Sequence, residues 1–404
     1  MTNWEDDEMV QRLREYLRIP SVHPDVDYDP CVKFLTKQAQ DLDLRIKVYQ
    51  LVAKKPVVVI SWEGAEPGLP SILLNSHMDV VPVYEEYWTR PPFEAQVSAD
   101  GFIYARGSQD MKSVGMAHLE AVRRLKGSGI RLKRTVHISF VPDEEIGSED
   151  GMRIFSESNE FKKLNVGFAL DESAPFQEPN KYIAFHGEKT SRLLMCDQLS
   201  RCLWYLYYLF ITSILYLFYF TLQLHYIIDK FMTLRAQELK KVHNGTWTGD
   251  VISINLTQVE GGIQINVVPE NLSVSFDIRI PPDVDHDEFE KMIENWCKEA
   301  GENVTFEYIV KNPEIKSTKV DGINIKKNYR KGIEVNSVTC PGATDARFIR
   351  RHGIPAINLS PFDNTPLLLH AHDERLHVDT YRKGVQAMEK LVQALANCDQ
   401  IHIN

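Results

Sequence analysis

Ser71-Ile-Leu-Leu-Asn-Ser-His77-Met-Asp79 is a short apolar run that ends on a histidine and an aspartate. Residues 71–74 read as a buried strand, with His77 and Asp79 just past its C-terminal end. In open α/β sheets that end of a strand is where ligands bind. Alternation puts His77 and Asp79 on one side of the backbone and Met78 on the other. A metal-binding histidine oriented by an aspartate is one reading of the pair. A hydrogen-bonded surface pair is the other, and His-x-Asp alone does not separate them.

The flanking sequence repeats the pattern. Residues 57–62 form a second strand, divided from 71–74 by Gly64 and the Gly68-Leu-Pro70 turn. Upstream, residues 5–17 carry Met9, Leu13 and Leu17 at helical spacing, with an acidic first turn and Pro20 as a stop. Downstream, a short strand at 102–104 leads through Arg106-Gly-Ser-Gln-Asp110-Met-Lys112 into an amphipathic helix striped by Met116, Leu119, Val122 and Leu125. Strands at 135–141 and 166–170 end on Pro142-Asp-Glu144-Glu145-Ile-Gly147 and on Asp171-Glu172. Strand–helix alternation over 1–175 predicts an α/β domain with a mostly parallel sheet. From about residue 225 the order becomes helix (227–241), strands (251–257, 272–280), helix (287–300) and strand (304–309), which predicts a smaller inserted α+β domain. A strand at 355–359 and a helix at 380–397 return to α/β character. The expected domains are 1–187 with 306–404, and an inserted 188–305.

At 404 residues, two domains are the expectation. The net charge of −10, with Lys and Arg scattered, argues against nucleic acid or anionic lipid as the main partner. Six cysteines without CxxC pairing fit a reduced, cytoplasmic setting, and the acidic N-terminus does not read as a signal peptide.

Four clusters follow strands or open a helix: His77/Asp79, Asp110, Glu144-Glu145 and Asp171-Glu172. A fifth, His370-Ala-His372-Asp-Glu374, lies near the C-terminus. Singly, each reads as a solvated strand end or a helix-capping carboxylate. Together, His, Asp and Glu donors without cysteine suit zinc, cobalt or manganese in a catalytic site. A two-metal site needs a bridging carboxylate and further ligands on each ion. Asp110 as bridge, His77 and Glu172 on one side, and Glu145 and His370 on the other meet that need. Glu144 is left free as general base on the attacking water.

Ser-His77-Met-Asp79-Val-Val-Pro, Tyr-Ala-Arg-Gly-Ser-Gln-Asp110-Met-Lys, Pro-Asp-Glu144-Glu145-Ile-Gly and Leu-Asp-Glu172 resemble the co-catalytic zinc aminoacylase, dipeptidase and carboxypeptidase family. Thr365-Pro-Leu-Leu-Leu-His370-Ala-His-Asp-Glu-Arg-Leu-His377 is most similar to its aminoacylase branch. The resemblance covers residues 1 to about 190 and about 225 to the end. It implies two zinc ions on His77, Asp110, Glu145, Glu172 and His370, with Co2+ or Mn2+ as substitutes. It implies Glu144 as base and Asp79 as support for the metal-binding histidine. Asn266 is implied near the reacting carbonyl, Arg279 on the substrate carboxylate, and Thr344 and Arg347 in a loop lining the substrate pocket. The implied reaction cleaves N-acyl-L-amino acids to a carboxylate and a free amino acid, with a dipeptidase or carboxypeptidase of the family as the alternative. It also implies a homodimer, with 188–305 as lid and dimerisation domain.

The family's lid opens with a strand and a Gly-x-Pro-Gly-His-Ala/Ser motif whose histidine stabilises the oxyanion. No such motif stands between Glu188 and Leu224. Residues 202–228 carry no formal charge and no Gly, Ala or Val, a mixture that A/T-rich noncoding DNA would encode. The stretch has the ~20 apolar residues of a membrane helix, but a span there would split one domain. We expect residues 191–224 to be foreign to the fold, the lid strand and helix to be lost, and an impaired catalyst to result.

Overall fold

The computed structural model describes residues 4–199, 210–265, 269, 271–301, 303–320 and 333–399, with main chain alone for 198–199 and 210–221. It divides into two units: Met1–His186, Thr318–Val338 and Thr344–Asn404 form the first, and Gly187–Ser317 with Thr339–Ala343 the second. The expected return to the first domain at residue 306 cuts the strand Val304–Lys311. That strand pairs with Thr190–Leu199, so the second unit runs on to Ser317.

Among the described residues, the first unit is built on an eight-stranded sheet in the order 45–52, 55–62, 136–141, 71–77, 166–171, 356–359, 181–188, 334–340. Val136–Val141 and Val166–Asp171 run parallel to Ser71–His77 on either side, and Ala356–Leu359 runs parallel to Val166–Asp171. The expected α/β architecture is present, with a parallel centre and antiparallel flanks.

Ser71–His77 and Val136–Val141 are buried at every position, as strands covered on both faces must be. One face packs Ile72, Leu74, Ile138 and Phe140 against helices Glu8–Leu17, Lys112–Gly127 and Val378–Asn397. The other packs Leu73, Val141 and Ala169 against Phe155, Phe161 and Phe348. Gly115 lets the Lys112–Gly127 helix come close to the sheet, since a Cβ there would sit 2.8 Å from Ser76 Oγ and 2.9 Å from the Phe140 ring. The 71–77 strand runs three residues past its apolar run. Asn75 to His77 keep their register against Ser139 to Val141, and their polar side chains find buried partners.

Among the described residues, the second unit has a four-stranded antiparallel sheet in the order 253–261, 271–280, 190–199, 304–311, with helices Phe210–His243 and His286–Ala300. This overturns the expectation that the lid strand is missing, and with it the reading of 191–199 as foreign to the fold. Thr190–Leu199 is an interior strand, in register with Asn271–Ile280 along its whole length. Its period-2 alternation sends Leu194 and Cys196 into the core. The helix from Phe210 carries Leu224, Ile227 and Phe231 into the same core. Residues 200–209 lie outside the described residues. Among the described residues, no helix is long and apolar enough to cross a membrane.

Phe231 is fully buried, stacks on Phe276 at 4.1 Å and meets Trp296 edge-on at 5.1 Å. Phe231→Ala is expected to lower the second unit's unfolding free energy by about 3–5 kcal/mol. Leu222→Ala, at a position 57% exposed, should change it by no more than about 0.5 kcal/mol. Urea denaturation of both variants checks the pair.

Candidate metal centre

The parallel strands deliver the chemistry at their C-terminal ends. His77 closes one strand, the turn Glu144–Ile146 follows Val141, and Glu172 follows Asp171. Asp110 stands just before the Lys112–Gly127 helix, and His370 sits in the loop before Arg375–His377.

These side chains meet in two groups that share one member: His77, Asp110 and Glu172, and Asp110, Glu145 and His370. Within each group the donor atoms lie within 4.8 Å of one another. Asp110 offers one oxygen to each, with Oδ1 3.2 Å from His77 Nε2 and Oδ2 3.2 Å from His370 Nε2. Glu172 Oε2 lies 3.4 Å from His77 Nε2, and Glu145 Oε2 lies 3.0 Å from His370 Nε2.

So many carboxylates in one place distort each other's titration. Burial, followed by the charge of Glu172, raises Glu144 well above the usual carboxylate range. Burial and Asp110 raise Glu172 and Glu145. Burial opposes ionisation of Asp110 too, but hydrogen bonds from His370 and His77 hold it below the usual range. Burial alone would lower His77, yet Glu172 and Asp110 raise it well above normal. Hydrogen bonds to Asp110 and Glu145 raise His370 to about 10. Glu145 Oε1 is buried with no hydrogen-bond partner. An all-N/O donor set, a carboxylate facing two ways and an orphaned carboxylate oxygen together fit a metal cofactor.

Asp79 does more than the sequence reading assigned. His77 Nδ1 lies 2.9 Å from the Asp79 backbone oxygen and 3.6 Å from its carboxylate. The carboxylate's short contacts are His23 Nε2 at 2.8 Å and the backbone N–H groups of Glu144 and Glu145, at 3.2 and 3.0 Å. It therefore fixes the Glu-Glu turn as well as the histidine. Asp143, just before that turn and left-handed at φ 63°, accepts from Tyr28 Oη at 2.7 Å and pairs with Lys55 at 2.6 Å. Sequence reasoning missed His23, Tyr28 and Lys55. Each lies far from its partner along the chain, and no local pattern marks it.

Thr344 and Arg347 belong to a brace. The Arg347 guanidinium donates to Thr344 O at 2.6 Å and Gly147 O at 2.8 Å, tying the loop to the end of the Glu-Glu turn. Asn358 Nδ2 donates to Thr344 Oγ1 at 2.8 Å. Arg279, in the second unit, bonds Asp277 at 2.9 Å. Asn266 lies outside the described residues.

The model of peptidase family M20/M25/M40 matches residues 73–394. The chain belongs to that family. Its relatives include aminoacylase-1 of Sus scrofa, 41% identical over 397 residues that cover 96% of this chain and 95% of the relative. Aminoacylase-1 of Dictyostelium discoideum is 38% identical over 421 residues, covering 99% and 100%. Among solved structures, an M20 metallo-carboxypeptidase of Sulfolobus solfataricus superposes with a TM-score of 0.67 at 20% identity, covering 96% of this chain and 99% of that one. A dinuclear metal-binding M20 peptidase of Bacillus subtilis gives 0.67 at 17% identity, covering 96% and 97%. As an M20/M25/M40 member the chain is a hydrolase.

Asp79→Ala would orphan two backbone N–H groups and His23, at about 1–3 kcal/mol for each buried group. We expect the first unit to lose about 3 kcal/mol or more. Asp79→Asn should lose less, because its carbonyl still accepts one N–H. Chemical denaturation compares the two.

Proposed function

We propose that this chain is a two-zinc aminoacylase that hydrolyses N-acyl-L-amino acids to a carboxylate and a free L-amino acid. The observation that carries the proposal is Asp110, which turns one oxygen to His77 and the other to His370. A carboxylate so placed suits a shared ligand of two ions. His77 and Glu172 would hold one zinc, and Glu145 and His370 the other, with Asp110 common to both. The ions would supply Lewis acidity toward the acyl carbonyl and lower the pKa of water. The likeness to aminoacylases at about 40% identity over nearly the whole chain selects N-acyl amino acids over dipeptides.

Glu144 takes the proton from the attacking water and returns it to the leaving amine. Its raised pKa, set by burial and by Glu172, suits a group that must both accept and give a proton. Asp79 holds the peptide N–H on each side of Glu144, so the base and its ligand neighbour move as one piece. Asn266 and Arg279 are assigned to the amino-acid end of the substrate. Thr344 and Arg347 act as the brace on the turn that carries Glu144.

The Gly-x-Pro-Gly-His motif is missing between Glu188 and Leu224. Losing one oxyanion donor costs about 10²–10³ in turnover, so the proposal includes a slow enzyme. A homodimer in the cytoplasm completes it. Cys31, Cys196, Cys297, Cys340 and Cys398, the cysteines among the described residues, form no disulfide with one another, in keeping with a reducing compartment.

Hydrolysis of N-acetyl-L-methionine tests the reading. Glu144→Gln is expected to cut kcat by about 10²–10⁴ while zinc content stays unchanged, and chelation should abolish turnover until zinc is returned. Faster cleavage of dipeptides than of N-acetyl-L-methionine would overturn the substrate assignment.

A further inference from the structure

His370 reaches Asp110 from a segment with no helix and no strand until Arg375. Its backbone is left-handed at φ 59° and its side chain is 55% exposed, facing a cavity of about 560 Å³ lined with Tyr84, Tyr87 and His372. Neither regular backbone pairing nor close packing therefore fixes the position of this ring. One buried side chain does reach both ends of the 366–375 segment and Leu368 within it. Gln109, 1% exposed and next to Asp110, donates through Nε2 to Pro366 O at 2.9 Å and to Arg375 O at 2.8 Å. Its Oε1 accepts from Leu368 N at 3.0 Å.

The main chain of Gln109 is tied to the same segment. Its N–H donates to Glu374 Oε1 at 2.5 Å, and that oxygen also accepts from Asp110 N at 3.2 Å. Glu374 is fully buried and held by Arg106 at 2.6 Å. The peptide that carries Asp110 and the loop that carries His370 are thus latched together, with Gln109 as the piece that contacts both sides.

We infer that Gln109 is the positioning residue of the Asp110, Glu145 and His370 group, setting the reach of His370 and hence the affinity of that group for its metal. Outer partners that orient metal ligands typically change metal affinity by about 10–100-fold when removed. The inference rests on the two-group reading of the centre. His77 and Glu172 lie outside the 366–375 segment, and Asp110 keeps its N–H bond to Glu374 when the Gln109 side chain is cut back, so their group should be spared.

The test is zinc alone, titrated against a chromophoric chelator into the full chain and into Gln109→Ala. Two tight ions are expected for the parent chain. In the variant one should stay tight and the other weaken about 10–100-fold, with kcat lost at limiting zinc and recovered at saturating zinc. A general folding defect would not give that split. Gln109→Met fills nearly the same volume without the amide and serves if the alanine variant fails to fold. A folded variant that keeps two zinc ions at parent affinity overturns the inference. A parent chain that takes up one zinc or none overturns instead the two-group reading beneath it.

Discussion

Like charges confined to a poorly solvated space repel strongly unless positive charge is set among them. Asp110, Glu144, Glu145 and Glu172 make that demand in this protein, and much of the first unit is arranged around meeting it. In the chain by itself the two histidines supply the countercharge, which is why both bind protons far more tightly than a free imidazole. Metal binding needs both rings neutral, so loading exchanges one set of positive charges for another and releases protons. The orphaned oxygen of Glu145 marks where the protons alone leave the arrangement incomplete.

The sheet brings these groups together without strain in the strands themselves. Parallel neighbours end at one edge, so three separate stretches of chain deliver His77, the Glu144–Ile146 turn and Glu172 side by side. Polar contacts then run beneath that edge. Asn75 donates to Asp171 at 2.9 Å and to Asp345 at 3.1 Å, Asp345 accepts from Ser148, and Asp171 accepts from Ala346 N at 2.7 Å. Burial and the neighbouring Asp171 raise Asp345 to about 7. A network of this kind rigidifies its surroundings only when its members are satisfied. Here it fixes the strand ends that carry His77 and Glu172.

The strands, the amphipathic helix after Asp110 and the acidic strand ends were legible because each is written in a local period or a short motif. What stayed hidden depends on distance along the chain. His23 and Asp79 are 56 residues apart, and Gln109 and Arg375 are 266 apart. A single sequence carries no mark of such a pairing. For Arg347 the resemblance implied a pocket-lining place, and the contacts of its guanidinium with Thr344 O and Gly147 O, the latter 200 residues away, carry no local mark either. The strand Thr190–Leu199 was misjudged for another reason. Its alternation of Leu194 and Cys196 with outward-facing neighbours was present to be read, but the uniformly apolar stretch that follows drew the boundary too early.

The two ligand groups draw on different lengths of the chain. His77, Asp110 and Glu172 are all in hand once residue 172 has been synthesised, whereas the group with Asp110 and Glu145 waits for His370. Translation therefore presents the centre in halves. Once Glu172 is made, a ribosome-bound chain carries the carboxylates of the second half through nearly two hundred residues more before their histidine exists. A message cut short anywhere in that interval encodes a protein with half a centre, whatever the quality of its fold.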